Sequence, residues 1–479
     1  MEAQIMHNGI KTHHQYALLH LAVLHADFGC YTEAISAMSE CIATARENQD
    51  ARCLHFSLSW LSHLRKAFPA LAELENTGQG TELAGSEIDT IRFLQHKATE
   101  PHNRDFPALT GALLSESELI LRMGGPVTKA IELSYQAGYI NKQYDIANMA
   151  ASQLRLHGSI YARLGHAPLA ELHCGIVQHI HGQTATSNDT LSAACQLAYM
   201  RALSGRYEDA LKMLERADPR GQKTLRLEQM NELFAAEHLL RELRPIRKLA
   251  EPGVVFETHV LEIDFFIRSG DMSAAFDYVG DLIAQTKSRS GSDIAHRIRL
   301  LTLKAQIWVK AEKSAKGFSI ALRAASAAQR AMILPAMWNA IGTLCTILTD
   351  LEEYDGARKL LEAIMPQALG GDNEYYIATL YSTLTDAYMG LAGKASPDPS
   401  ASTKERDLHI NAASLYLERA KESYARIEDL NGTLDVLAKK AAIFRYQGEV
   451  ALAEETEDQH ECTLQGARRA ELKVLGVEG

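Results

Sequence analysis

Apolar residues recur at intervals of three and four along most of this chain, the spacing that puts them on one face of a helix, and runs of alternating β-branched residues are absent. The stretch from Tyr16 to Leu61 shows the pattern in full. Leu18, Leu21, His25 and Phe28 share one face of a helix predicted to run to about Asp27. Gly29 ends it, because glycine takes the left-handed conformation at no steric cost. A second helix is predicted from Thr32 to about Glu47, with Ile35, Met38 and Ile42 turned inward. Ala34 and Cys41 are small where a neighbouring helix must come close.

The same grammar returns along the chain. With the inter-helix glycine as position 15, an aromatic or apolar residue falls at 17, alanine at 20, and small or apolar residues at 8 and 27. Ala22, Gly29, Tyr31, Ala34 and Cys41 fit it, as do Gly158, Gly165, Ala167, Ala170 and Val177, and Ala198, Gly205, Tyr207, Ala210 and Ala217. Weaker copies centre on Gly270 with Ala275, on Tyr354 with Ala357, Leu361 and Ile364, and on Gly448 with Ala441 and Ala453. This is the tetratricopeptide pattern of roughly 34 residues, in which each helix pair buries its face against its neighbours. The expected fold is all-α, a tetratricopeptide-like α-solenoid of stacked antiparallel helix pairs in a right-handed superhelix.

Three breaks divide the pattern: a glycine-rich loop at Asn76–Gly85, a proline-bounded one at Glu100–Pro107, and Gly393–Lys404, rich in proline and serine. The organisation expected is a first repeat block over 1–75 and an irregular helical segment over 76–142. A solenoid over 143–392, a flexible loop over 393–407 and a C-terminal helical repeat and cap over 408–479 follow. The last break separates a helix over Tyr376–Met389 from one beginning near Leu408, and its Ser396-Pro397 is a candidate for proline-directed phosphorylation. The charged helix from Glu454 to Arg469 suits the polar cap of a solenoid end.

At 479 residues the chain exceeds a single core, a limit that a stack growing along one axis escapes. Its formal charge of -11 argues against a general nucleic-acid binder, which needs a basic face. The modest basic run Arg241–Lys248 reads as a solvated helix end. Seven cysteines, an odd set without CxxC pairs, read as reduced, buried small hydrophobes of a cytosolic or nuclear protein. No stretch reaches 18 consecutive apolar residues, and the N-terminus lacks a signal-peptide pattern. Neither nucleic acid nor membrane is an expected partner.

Candidate chemistry is sparse. His173, Cys174, His179 and His181 tempt toward a metal site, but helical spacing puts His173 and His179 on different faces, and no HExxH or paired CxxC accompanies them. His13, His14, His20 and His25 line or precede the first helix and read as structural. Gly317-Phe-Ser319-Ile-Ala321 echoes a nucleophile elbow without the strand that one needs, and Gly78-Gln-Gly80 is followed by no GK[ST]. Glu352-Glu353 and Glu454-Glu455 fall at a turn and on the polar terminal helix. No catalytic, cofactor-binding or metal-binding residue is therefore expected, and no cofactor. Repeat proteins that clamp a peptide carboxylate place lysine and asparagine at positions 5 and 9, where this chain has Leu19 and Val23. Trp308, Trp338, Tyr375 and Tyr376 are aromatic candidates for interface anchors, against the plainer reading that they are core.

The opening block also resembles a particular family. Tyr16-Ala-Leu-Leu-His-Leu-Ala-Val-Leu-His25, Phe28-Gly29-x-Tyr31, Glu33-Ala34, Ala43-x-Ala45-Arg46-Glu47-Asn48-x-Asp50, Cys53-Leu54 and Leu58-Ser59-Trp60-Leu61 follow one another as in the fifth subunit of the anaphase-promoting complex, or cyclosome. Ser115-Glu-Ser-Glu-Leu119 and the repeats at Gly165 and Gly205 are compatible with it. The resemblance implies a non-catalytic scaffold in the platform of a cullin-RING-type E3 ubiquitin ligase that controls mitotic progression. It implies contacts to the first, fourth and small accessory subunits, and a nuclear and cytoplasmic location. Family members usually carry a helical domain of well over a hundred residues ahead of this block. Here about fifteen residues precede it, so a truncated or shortened form is expected. The alternative is a regulatory peptide- or ligand-binding repeat module outside that complex, marked by a polar concave groove. An enzyme built on a helical toroid would need a convergent acid-base or metal site.

Overall fold

In the computed structural model, residues 2–48, 50, 53–54, 56–58, 60–61, 64, 87–99, 105–182, 184–217, 252–288, 293–395 and 404–474 are described, and all regular structure among them is helical. The helices begin with α1 (Glu2–Asp27), α2 (Tyr31–Glu47), α3 (Glu87–Thr99), α4 (Phe106–Met123) and α5 (Val127–Gln143). Next come α6 (Ala147–Arg163), α7 (Ala167–His179), α8 (Ser187–Leu203), α9 (Tyr207–Ala217), α10 (Pro252–Arg268) and α11 (Met272–Ser288). The series α12 (Ile294–Lys310), α13 (Ser314–Arg330), α14 (Leu334–Asp350), α15 (Tyr354–Leu369) and α16 (Glu374–Ala395) leads to α17 (Lys404–Arg426), α18 (Leu430–Gln447) and α19 (Val450–Val474).

One joint links these helices again and again. Two residues before the next helix the backbone turns left-handed, at Gly29, Gly165, Gly205, Gly270 and Gly448 with φ between 71° and 85°. The following residue then donates its N–H to the carbonyl five positions back, as Cys30 does to His25 (2.9 Å) and Arg206 to Arg201 (2.9 Å). That bond closes the helix end in the Schellman manner. The sequence marks these joints by glycine. Five others are built the same way on Asp145, Glu312, Met332, Glu352 and Glu428, and Asp372 turns left-handed at the corresponding place. The Glu and Met side chains among them are held in a conformation that costs roughly 1–2 kcal/mol, and those four are not legible as turns from their residue type.

The repeat length expected from the sequence needs correction. The joints at Glu312, Met332, Glu352 and Asp372 fall twenty residues apart. A helix of 17 residues and its three-residue turn make each half-unit. The helix pair here therefore recurs every forty residues, with longer helices than the 34-residue pattern allows.

In the first pair Ile35, Met38, Ile42, Ala34 and Cys41 are buried as expected. On α1 the buried row is Gln15, Leu18, Leu19 and Ala22, whereas Leu21 is 43% and Phe28 75% exposed. The expected grouping of Leu18 with Leu21 and Phe28 was one residue out of phase with the face that meets α2. Leu19 and Val23 pack in that core.

By its contacts the chain divides into two compact units. The first comprises Met1–Leu119, Glu132–Met149 and Glu242–Val260, and the second Ile120–Ile131, Ala150–Arg241 and Leu261–Gly479. Within the second, consecutive helices from α11 to α19 pack on one another, and first helices also touch the next first helix: α12 on α14, α14 on α16, α16 on α18. This is the neighbour pattern of a helix-pair stack.

The second unit also joins turns that lie far apart in the chain. Arg163, at the end of α6, donates from Nη1 to the Leu121 carbonyl (2.7 Å) and from Nε and Nη2 to the Ala331 carbonyl (3.1 and 2.9 Å). The Trp338 ring, 1% exposed, lies where a Cβ on Gly165 or Gly371 would collide with it. Tyr207 Oη donates to the Ile427 carbonyl (3.0 Å), and a Cβ on Gly205 would strike the Arg426 carbonyl.

Of the three expected breaks, Asn76–Gly85 lies outside the described residues, as do Gly78-Gln-Gly80, Ser396 and the basic run Arg241–Lys248. Around the third, α16 continues to Ala395 and α17 begins at Lys404, both past the limits read from the sequence. The terminal helix α19 exposes Glu454, Glu455, Asp458 and Glu461, with Val450 and Leu452 exposed in its first turn.

Two glycine variants separate backbone strain from close packing. Gly270 is left-handed with nothing within 4 Å of its missing Cβ, so Gly270→Ala should cost about 1 kcal/mol. Gly205→Ala adds a collision with fixed backbone and should cost about 2 kcal/mol more. Thermal melts of the two variants check this; equal shifts would contradict the turn-to-turn packing at Gly205.

Candidate interaction surfaces

The family-like block at the start of the chain folds into a polar latch. Gln15, fully buried on α1, donates to the Asp50 carboxylate and accepts from Asn48 Nδ2 (2.8 Å). Tyr16 Oη also donates to Asp50 (2.8 Å), whose other oxygen accepts the Cys53 backbone N–H (3.1 Å), the geometry of a helix N-cap. Beneath it Cys41 Sγ donates to the Gln15 carbonyl (3.2 Å) and lies 3.3 Å from Ser57 Oγ and 3.7 Å from Cys53 Sγ. The Asn-x-Asp pattern thus ties α1, the end of α2 and the start of the next helical segment together. Its role is structural: the Asn48 amide nitrogen and both Asp50 carboxylate oxygens are aimed at the fold itself. Sequence reasoning missed Gln15, whose one signal was a polar residue in an apolar row.

The candidate chemical groups are dispersed. His179 is exposed at the end of α7, and His173 packs its ring against Tyr161 (5.0 Å) and His157 (5.6 Å). Among the described residues no group of three His, Cys, Asp or Glu side chains is placed to hold a metal ion. Gly317, Ser319 and Ala321 lie within α13, where Gly317 and Ala321 are buried. Glu352 and Glu353 form a turn joint. Cys41, Cys53, Cys174 and Cys345 are buried, while Cys30, Cys195 and Cys462 are exposed, which corrects the expectation for those three. Burial pushes the Cys345 thiol up to about 12 and Cys174 to about 11, and burial with the neighbouring Cys41 pushes Cys53 to about 12. A nucleophile needs the thiolate, so these thiols are unreactive near neutral pH.

Charged groups on the first helices of the second unit satisfy one another. Lys439 Nζ lies 2.7 Å from Asp386, 3.3 Å from Asp435 and 2.8 Å from Ser382 Oγ. Gln306 Nε2 spans Asn339 (3.3 Å) and Thr343 (3.2 Å). Burial raises the Asp386 carboxyl while Lys439 draws it back.

Of the aromatic candidates, Trp338 is core. Trp308 is half-buried against Phe276 (4.8 Å), Tyr376 packs on the core, and Tyr375 is 48% exposed. The sequence did not single out Tyr135 and Tyr139, which stand exposed on α5. With Leu109 and Leu113 of α4 they line an apolar groove of about 600 Å³. No helix among the described residues is long and apolar enough to cross a membrane.

A buried histidine gives the second unit a pH dependence. His157, 7% exposed, is pushed down to about 4 by burial and by the neighbouring His173. Above its ordinary value of 6.5 the ring is neutral whether the chain is folded or not, and the folded state keeps its full stability. Below that the unfolded chain takes up the proton first, so stability should fall by about 3 kcal/mol between pH 6.5 and 4. Denaturant titrations across that range check it: His157→Gln should flatten the difference, and an unchanged slope would contradict it.

A family model described as anaphase-promoting complex subunit 5 matches residues 4–68, the stretch that holds the first helix pair and the latch. The chain is 24% identical over 405 residues to anaphase-promoting complex subunit 5 of Schizosaccharomyces pombe, an alignment covering 79% of this chain and 51% of that protein. It is 43% identical over 65 residues to the Gallus gallus subunit 5, 13% of this chain and 8% of that one. The Homo sapiens subunit 5 is 49% identical over 47 residues, 10% and 6% of the two chains. The chain thus spans about half the length of the yeast relative. Among solved structures, a Rap protein complexed with Competence and Sporulation Factor aligns with 80% of this chain and 93% of its own at a TM-score of 0.38 and 10% identity. A signal-transduction ATPase with a tetratricopeptide repeat sensor from Pyrococcus horikoshii covers 82% and 56% at 0.32 and 13%. The first helix pair carries the sequence pattern of the anaphase-promoting complex subunit 5 family, and the resemblance continues at lower identity over most of the chain.

Proposed function

We propose that this chain is a non-catalytic scaffold subunit of the anaphase-promoting complex, a cullin-RING-type E3 ubiquitin ligase, and that it acts in the control of mitosis. The observation that carries the reading is the family match at residues 4–68, which coincides with a complete helix pair and its latch. On this reading the chain contributes rigid surface, and ubiquitin transfer belongs to the assembly. Its partners are other subunits of the complex, in particular the first, the fourth and a small accessory subunit, met in nucleus and cytoplasm. Among the described residues the candidate groups are dispersed and the buried thiols inert, which supports a role in binding, since general acid-base or nucleophilic catalysis needs such groups converging on one point.

Affinity purification of the tagged full chain under mild salt, read by mass spectrometry, should recover other subunits of the ligase. Recovery of chaperones or transcription factors alone would contradict the reading. The purified chain by itself should transfer no ubiquitin from a charged E2, and turnover by the isolated chain would contradict the non-catalytic role.

A further inference from the structure

Arginines elsewhere in the second unit answer carboxylates: Arg155 meets Asp189 (3.0 Å), Arg358 meets Asp355 (2.8 Å) and Arg426 meets Glu374 (2.6 Å). Arg297 of α12 and Arg323 and Arg330 of α13 do not. They line one pocket of about 210 Å³ between the two helices, and among the described residues none of the three pairs with a carboxylate. Arg330 Nε donates only to the Ser326 carbonyl of its own helix (3.3 Å). The spacing explains the meeting. Arg323, Ala327 and Arg330 follow at four and three residues on one face of α13, and Arg297, Ile298 and Leu301 stand together on α12. The acid nearest on α12, Asp293, is committed to the helix N-cap, where it accepts the Ala295 N–H (2.8 Å). The carbonyl that follows Arg330, at Ala331, already accepts the Arg163 guanidinium. Three like charges therefore share a pocket without a counter-charge, in a chain whose formal charge is -11.

We propose that this pocket binds a phosphorylated serine or threonine in a peptide segment of a partner, with an apolar side chain beside the phosphate. A phosphomonoester brings a charge of about -1.5 to -2 near pH 7 and three acceptor oxygens, which suit several guanidinium forks at once. A lone carboxylate would engage one of them and leave the others unmatched. The rest of the pocket is apolar, formed by Ile298, Leu301 and Ala327 among others, and its volume has room for a phosphate group and one aliphatic side chain. A free inositol phosphate has nothing to set against that wall. Among the described residues no serine or threonine of this chain lines the pocket, so the phosphate comes with the partner.

The assignment does not rest on the subunit reading. The test presents the purified full chain with arrays of short peptides fixed as phosphoserine at the centre and degenerate elsewhere, beside matched arrays with unmodified serine. Retention on the phosphorylated arrays should exceed that on the unmodified ones by about tenfold or more, with apolar residues enriched next to the phosphoserine. The double variant Arg323→Gln with Arg330→Gln should abolish the difference and leave the melting temperature unchanged, because both side chains are exposed. Arg297→Gln should weaken retention in the same direction. Equal retention on the two arrays, a preference that survives the double variant, or a drop of several degrees in its melt would overturn the proposal. So would binding of inositol hexakisphosphate, or of vesicles containing phosphatidylinositol bisphosphate, through the same arginines while the peptides are ignored. Phosphatase treatment of the chain before the assay should not raise retention; a rise would show the pocket already filled by a phosphorylated residue of this chain and overturn the partner assignment. If the phosphopeptide preference holds while no ligase subunit co-purifies, the subunit reading fails and the pocket stands.

Discussion

The three hydrogen bonds of Arg163 hold the second unit together across the chain. Its guanidinium joins the Leu121 carbonyl in the last turn of α4 to the Ala331 carbonyl just past α13, from its own place at the end of α6. The last carbonyls of a helix have no intrahelical donor, and the helix dipole makes that end negative. One planar cation with a fork of donors satisfies two such ends at once, which a lysine ammonium does not match in geometry. Trp338 fills the space beside it, seated against Gly165 and Gly371, and Tyr207 repeats the device at the Ile427 carbonyl. Nearest-neighbour stacking builds the repeats; these contacts fix where distant turns meet.

Several polar clusters are committed to the fold itself. The latch around Asp50, the Lys439 cluster and the Arg163 staple each close on fold atoms. Among the described residues, apolar surface is exposed at the groove flanked by Tyr135 and Tyr139 and at Leu21 and Leu24 of α1. Interfaces of the size held in stable assemblies rely on such anchors more than on exposed ion pairs. The family pattern falls on the first helix pair and its latch, the part of the chain most recognisable by sequence.

Much of the fold was legible because a helix pair writes its packing into residue size. Ala34, Cys41, Ala170, Val177, Ala275 and Ala453 are all buried where small or apolar residues were expected. The glycine joints were legible because only glycine takes the left-handed turn without strain. The joints at Glu312, Met332 and Glu352 hid the forty-residue period, since ordinary side chains there are held in place by the Schellman bond and not by their own preference. The phase of α1 was misjudged because that helix is apolar on two faces, one for α2 and one left open, and a single-face reading merged them. Arg163 and Gln15 were invisible for a different reason. Their partners are backbone carbonyls and side chains set by tertiary structure, and nothing in local spacing points to a contact 168 residues away.

Hydrogen exchange on Arg163→Lys tests most directly whether the turn-to-turn contacts hold the second unit. The lysine keeps the charge and loses the fork. The account requires faster exchange together at the amides of Gly124 and Ile333, which close the helix ends that Arg163 holds, and at Arg206 and Asp429 in the turns joined by Tyr207. Faster exchange confined to the end of α6, with the distant turns unchanged, would contradict it.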